Sequence, residues 1–345
     1  YGLHVRMDSR QLLLGAVGSG RGKGSAFLVP HFAYSLQDSW ILYRGYPSEE
    51  YEVLTADGYY LSMNRIPHGK GNPRDTGPKL VVLLLHGLLL DGSNWITNLP
   101  NNSLGFILAD AGNTWSRKHQ NLSIDQEEFW DFSFHEMAMY DLPALVDFIL
   151  QKNGQQNLYY IGYFQGCTIA LIAFSTMPQL GQNIKIFFAL APAYTLKKSK
   201  APLTQLSFFP TEILRVLLCN NIFFLQSRAD VYAASFPDYA SVKNVIHWGQ
   251  VELPTFIYMI LNYLLPAQTT PPFYKIEDMT VQTALWNGGC DSATSPQDTV
   301  DLLSQITSLI FYKYFPDWTH SDFIWGLDAT QRMYTEILEL MGKHP

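Results

Sequence analysis

The reading of this chain turns on the stretch Leu158-Tyr159-Tyr160-Ile161-Gly162-Tyr163-Phe164-Gln165-Gly166-Cys167-Thr168. An apolar strand runs into two glycines four residues apart, and a helical pattern follows through Thr168, Ile169, Ala170, Leu171, Ile172, Ala173 and Phe174. This is the layout of a nucleophile elbow, Gly-x-Ser-x-Gly, where a sharp strand-to-helix turn lifts the central side chain above the sheet. The glycines serve because the turn brings backbones too close for a Cβ. A helix N-terminus under the central residue favours developing negative charge. Here the central residue is Phe164, whose ring has neither a lone pair to attack an acyl carbon nor a proton for a base to take.

Outward from the elbow, Leu80-Val81-Val82-Leu83-Leu84-Leu85 and Ile184-Lys185-Ile186-Phe187-Phe188-Ala189-Leu190-Ala191-Pro192 read as strands buried on both faces, as in a parallel sheet. Between the first of these and the elbow, Ser133-Phe134-His135-Glu136 is a capping box that opens a helix. Leu142, Leu145, Val146 and Ile149 form its buried stripe, and Gly154 is its C-terminal stop. Tyr51–Thr55 and Tyr59–Ile66 flank Ala56-Asp57-Gly58 as a β-hairpin. The alternation of strand and helix predicts a mostly parallel, doubly wound α/β sheet. It is interrupted over residues 193–275, which read as a cap of short helices over the strand ends, and it resumes over 276–345. Residues 41–192 and 276–345 thus form the core, and residues 1–40 are expected to be a loosely ordered extension. The last helix should bury Tyr334, Ile337, Leu338 and Met341.

Two further strands end in chemistry. Val281–Asn287 leads to Gly288-Gly289-Cys290-Asp291, and Leu309–Tyr314 leads to Asp317-Trp318-Thr319-His320. Read singly, Asp291 is also explained as a turn residue and His320 as a loop histidine. Read together, a nucleophile site, an acid and a histidine follow one another at strand ends in the order of a hydrolase triad. Asp291 would orient the imidazole, and His320 would act as base and then as acid. His86-Gly87-Leu88 closes the strand before the elbow, where the backbone N–H of Leu88 is a candidate oxyanion donor. Cys167 is a conceivable substitute nucleophile near a helix N-terminus, but its place in the first helical turn points the sulfur away, so a buried small side chain is the better reading.

Composition narrows the partners. A net charge of -7 argues against nucleic acid. The longest uncharged apolar stretch, residues 253–270, is broken by Pro254 and Pro266, and the run between them is too short to span a bilayer. Leu12–Val17 followed by a Gly-rich basic linker makes a poor signal peptide. No metal-ligand or cofactor motif stands out.

From about Ile41 onward the chain resembles the mammalian acid lipase family, the gastric and lysosomal group. The matching phrases are Gly45-Tyr46-Pro47-Ser48-Glu49-Glu50-Tyr51, Asn98–Phe106, Asn113–His119, Met137 with Tyr140-Asp141-Leu142-Pro143, and Asp322–Asp328. The resemblance implies an α/β-hydrolase fold with a cap, a lipid ester or fatty acyl ligand (a triacylglycerol or cholesteryl ester), contact with a lipid interface, and a secreted or lysosomal location. It implies Asp291 and His320 as acid and base, and the N–H groups of Leu88 and Gln165 as the oxyanion hole.

The departures are specific. The family elbow Gly-His-Ser-Gln-Gly stands here as Gly162-Tyr163-Phe164-Gln165-Gly166. Gly112 runs directly into Asn113 where the family has a strand and a Gly-Asn-Ser-Arg-Gly turn, so one sheet strand is expected to be missing. The cap is shortened around 220–227, and residues 252–270 and 1–40 do not match. A bulky Phe at the elbow is expected to relax its strained backbone. Together these predict a lipase-family protein of lipid metabolism that is catalytically impaired or inactive, a pseudoenzyme. A non-catalytic lipid-binding protein and the product of a decayed gene or faulty gene model are the alternatives. Asn101 and Asn121 open glycosylation sequons.

Overall fold

A computed structural model of the chain describes residues 2–8, 11–17, 32–70, 80–109, 111–195, 199 and 274–344, with single cap positions at 232, 238, 240–241, 243–244 and 247–248. The cap differences expected at 220–227 and 252–270 lie outside the described residues. The strands are β1 (Gly2–Asp8), β2 (Gln11–Val17), β3 (Glu49–Leu54), β4 (Tyr59–Arg65), β5 (Val82–Leu85), β6 (Ala111–His119), β7 (Leu158–Tyr163), β8 (Ile184–Leu190), β9 (Ala240–Ser241), β10 (Thr283–Gly288) and β11 (Leu309–Phe315). Eight of them form one sheet in the order β3-β4-β6-β5-β7-β8-β10-β11, antiparallel at β3, β4 and β6 and parallel from β6 to β11. The other three make a small antiparallel sheet, β1-β2-β9.

Parallel strands are covered by helices on both faces, so the central ones are apolar throughout. All residues of β5, β7 and β10 are buried. The hairpin of β3 and β4 turns as the sequence predicts, with Gly58 at φ +99. Ser133 and Glu136 close the capping box in both directions. Leu142, Leu145, Val146 and Ile149 are buried, and Gly154 ends their helix, α1 (Leu142–Asn153), in the left-handed conformation. One feature of this region was not legible. The helix opens with a π turn over Met137–Asp141. Pro143 has no N–H for the carbonyl four residues before it, and the ladder widens by one residue there. In the last helix, α3 (Thr335–Lys343), Ile337 and Met341 face the core as expected, but Leu338 is exposed; the π turn at Thr330–Tyr334 resets the phase of the stripe.

The strand expected to be missing is a correction. The slot between β4 and β5 is occupied by β6, built from residues on both sides of the Gly112–Asn113 junction. Backbone groups at the edge of a buried parallel strand need partners, so the shortened chain is drawn into the gap. It fills it unevenly. Pairing with β5 covers only Val82↔Ala111 and Leu83↔Gly112, whereas pairing with β4 runs from Tyr59↔His119 to Arg65↔Gly112.

The chain passes from β5 outward to β6 and then back across to β7, so the turns after the neighbouring strands β5 and β7 meet at the switch point of the sheet. Helix α2 (Gln165–Thr176) follows β7 and is buried along nearly its whole length. A Cβ on Gly166 would lie 2.3 Å from the Leu85 carbonyl oxygen, and one on Gly162 would lie 2.8 Å from the Cys167 nitrogen. The elbow is therefore wedged between its own strand and β5, and neither contact can give because both are backbone. Gly166→Ala is expected to lower stability by at least ~1–3 kcal/mol, the range for overpacking a close-packed site. Gly154→Ala meets open space and carries only a left-handed backbone penalty of roughly 1–2 kcal/mol. Urea unfolding midpoints of the two variants check this, and a Gly166→Ala protein as stable as wild type contradicts the wedge.

Candidate active site

Phe164 occupies the elbow with φ 50 and ψ -111. That conformation is uncommon for any residue with a Cβ and costs about 1–3 kcal/mol. The expected relaxation of the elbow has not occurred. The Phe164 N–H donates to the Leu190 carbonyl at 3.2 Å, and the Phe164 carbonyl accepts from the Cys167 N–H at 3.0 Å. With the glycine contacts on either side, these bonds hold the turn whatever side chain it carries.

The phenyl ring is buried, 4% exposed. It stacks on the Trp248 indole, with centroids 5.5 Å apart and planes at 8°, and meets the His320 imidazole edge to face at 4.7 Å. Sequence reasoning missed Trp248, which lies in the cap where no periodicity marks a buried face. Its indole N–H donates to Gln165 Oε1 at 2.6 Å, and Asn244 Nδ2 donates to the same oxygen at 2.9 Å. The residue after the elbow is thus the anchor that fixes this part of the cap.

Asp291 and His320 are brought together as the sequence predicts. His320 Nδ1 lies 2.8 Å from Asp291 Oδ2. The Asp291 side chain is fully shielded from solvent and accepts further bonds from the N–H groups of Ala293 (2.8 Å) and Thr294 (2.7 Å) and the Thr294 hydroxyl (2.6 Å). Donors on both oxygens fix the carboxylate in one orientation. His320 Nε2 is buried and has no hydrogen-bond partner among the described residues. In a triad this is the nitrogen that faces the nucleophile; here the imidazole meets a hydrocarbon ring.

Tyr163, the residue before Phe164 in the elbow, donates its hydroxyl to the His320 carbonyl at 3.0 Å and lays its ring 4.9 Å from the imidazole. Burial, with Asp291 nearby, pushes its phenol well above the usual value, so it stays a donor. The loop that carries His320 is braced from below by Arg332, which makes a two-pronged pair with Asp317 at 2.6 and 2.7 Å and lies over the Phe315 and Trp318 rings.

Cys167 is fully buried, and its thiol donates to the Gly162 carbonyl at 3.1 Å. Burial pushes its pKa far up, which removes the thiolate a nucleophile needs. Leu88 and Gln165 stand where the turns after β5 and β7 meet, and both border a largely apolar cavity. Phe164, Asp291 and His320 are not among its lining residues. Leu88 and Gln165 thus border the cavity, and the Asp–His pair lies outside its lining, with the phenyl ring set against the imidazole.

Comparison with known proteins agrees with this fold. The profile of the partial alpha/beta-hydrolase lipase region matches residues 38–99, and that of the alpha/beta hydrolase fold matches residues 81–327. Lipase member M of Mus musculus is 48% identical over 88% of this chain and 85% of its own length. Human lysosomal acid lipase/cholesteryl ester hydrolase is 45% identical over 88% of this chain and 90% of its own. Among solved structures, an esterase from Thermogutta terrifontis superposes with a TM-score of 0.53 at 16% identity, covering 86% of this chain and 100% of its own, and this likeness bears on the fold alone. With a family profile over most of its length and relatives of this identity, the chain belongs to the α/β-hydrolase lipases, in the group that contains lysosomal acid lipase and lipase member M.

Proposed function

We propose that this chain is a lipase-family protein of lipid metabolism that no longer hydrolyses esters: an α/β-hydrolase with its acid–base pair kept and its nucleophile lost. The observation that carries the reading is Phe164 itself, held in the elbow conformation with its ring against His320. An acyl-enzyme needs an oxygen or sulfur at that point, and the ring fills the space a tetrahedral intermediate would take. Triad knockouts retain ~10³–10⁴ over water through the oxyanion hole and binding. A blocked site forfeits that residue of catalysis as well. The ancestral substrates are lipid esters, triacylglycerol or cholesteryl ester, in line with the activity in the name of the lysosomal relative.

The preserved backbone makes the reading reversible on paper. Phe164→Ser removes the ring, keeps the strained turn and gives the orphan His320 Nε2 a hydroxyl to face. Wild type is expected to show no labelling by a fluorophosphonate probe and no turnover of a short-chain ester. Phe164→Ser is expected to show both, and Phe164→Ser with His320→Ala to lose them. Wild-type turnover that disappears in His320→Ala contradicts the proposal. Turnover that survives Phe164→Ala but not Cys167→Ala would make the cysteine the nucleophile.

The same reading sends the chain along the secretory route of its relatives. Among the described residues no helix is long and apolar enough to cross a membrane. Asn101 and Asn121 are both exposed, which an acceptor asparagine requires. Expressed behind a supplied signal peptide, the protein is expected to gain mobility on deglycosylation and to lose that shift when both asparagines become Gln. An unchanged band shows that both sequons are silent.

A further inference from the structure

His247 is a buried titratable residue that ester chemistry does not use. It belongs to the cap and stands just before Trp248, the indole that covers Phe164. The residue is 7% exposed, and its ring lies almost parallel to that of Phe134, with centroids 4.1 Å apart and planes at 21°. Nδ1 is 2.8 Å from the Ser133 hydroxyl oxygen, and Nε2 is buried with no hydrogen-bond partner among the described residues.

The hydrogen bonds of Ser133 decide where the imidazole carries its proton. Ser133 has one hydroxyl proton, which goes to Glu136 Oε2 at 2.7 Å, and its oxygen accepts from the His135 N–H at 3.2 Å. Nδ1 must therefore donate to Ser133, so His247 is the Nδ1–H tautomer and Nε2 keeps a bare lone pair. A second proton would place a charge and an N–H where the described residues offer no acceptor. Phe134 covers a face of the ring, whereas the Nε2–H bond would lie in the ring plane.

The neighbouring charges do not compensate. Burial is the largest influence and lowers the pKa of His247 to about 4. Glu136 favours the cation, but its carboxylate is committed to Ser133 and Lys243. His135, whose Nδ1 lies 2.8 Å from the Tyr274 hydroxyl, opposes the cation, as does Lys243, which spans Glu136 and Asp131 at 3.1 Å each.

The bond to Ser133 is one of a set that holds this part of the cap down. Asn244 Oδ1 accepts from the Phe134 N–H at 2.9 Å, Asn244 and Trp248 both donate to Gln165 Oε1, and the Ser241 hydroxyl donates to the Phe132 carbonyl. These four bonds join neutral groups and do not change between neutral and weakly acid pH; His247 is the member of the set that can. We propose that neutral His247 latches Asn244 and Trp248 of the cap onto the capping box and the elbow, and that its protonation releases them, taking Trp248 off Phe164 and Asn244 out of the cavity wall.

The direction follows from proton linkage. In the released cap the imidazole is in water and regains its ordinary basicity, so the open form takes up a proton that the closed form refuses. The latch therefore weakens as pH falls through the usual histidine range and levels off below about 4, where the closed form binds the proton too. None of this depends on whether the chain hydrolyses esters.

Hydrogen exchange of the full chain from about pH 7 to about pH 5, corrected for the intrinsic rate of each amide, tests the latch. The N–H groups of Phe134 and Asn244 both end on cap side chains, those of Asn244 and Ser241. Their protection is expected to fall about twentyfold over that range, as a drop from the ordinary histidine value to about 4 dictates, while the amides of β7 keep theirs. Nitrogen NMR of wild type is expected to show the Nδ1–H tautomer at neutral pH. His247→Asn, whose amide can donate to Ser133 but cannot titrate, is expected to hold its protection across the range. Protection in wild type that ignores pH, a loss shared equally by β7, or an Nε2–H tautomer overturns the proposal. So does a His247→Asn protein that loses protection as steeply as wild type, since the sensor then lies elsewhere. The first three readouts use the wild-type protein and stand even where the variant fails to fold.

Discussion

The contact on which the site depends is the approach of Gly166 to the Leu85 carbonyl oxygen. It presses the first turn of α2 against the end of β5 so closely that no Cβ fits between them. From that wedge the rest follows. The turn after β7 has no slack, residue 164 is forced to φ 50, and its side chain is thrust above the sheet at the switch point between β5 and β7. Nothing in this constraint refers to serine. It acts on backbone atoms and glycines, which is why the elbow keeps its shape around a phenylalanine.

Held there, Phe164 acts as packing. Its ring lies against Trp248 of the cap and against His320, and Trp248 in turn is tied through Gln165 to the residue after the elbow. The place where a substrate carbonyl would sit is thus part of the hydrophobic core that joins cap and sheet. Tyr163 adds to this packing by bonding to the His320 carbonyl. The two neighbouring aromatic residues form a seal over His320, and the Asp291–His320 pair behind it is buried and multiply bonded. A buried hydrogen-bond network of this kind is costly to break piecemeal, because each removed partner leaves a buried polar group unanswered.

The shortened stretch at Gly112–Asn113 had an effect elsewhere than the sequence suggested. Backbone hydrogen bonding draws residues from both sides of the junction into a strand, so the sheet is closed. β6 leaves β5 after two pairs, and a largely apolar cavity is bordered by Leu61, Leu85 and Leu145. Among the residues at this cavity, Asp141 has its pKa raised well above the usual carboxylate range by desolvation and by the charges of Asp57 and Glu136.

Much was legible in the sequence because it rests on local rules. Glycine spacing at 162 and 166, apolar runs at β5, β7 and β8, the capping box at Ser133 and the turn at Gly58 each have a meaning that holds within a few residues. The order Phe164, Asp291, His320 after β7, β10 and β11 let the sequence bring Asp291 and His320 together, because parallel strands deliver their ends to one edge of the sheet. What only the tertiary structure decided depends on residues far apart in the chain. Leu338 is exposed because the π turn at Thr330–Tyr334 rotates the helix after it, and the gap between β4 and β5 is filled because unpaired backbone there has to find partners. Phe164 remains strained because two backbones leave it no room to relax, and it is covered by Trp248 because a cap residue 84 positions later, anchored on Gln165, brings an indole to it. No spacing or propensity encodes such meetings, since side chains from separate elements share a place only once the sheet, its helices and the cap have closed around them.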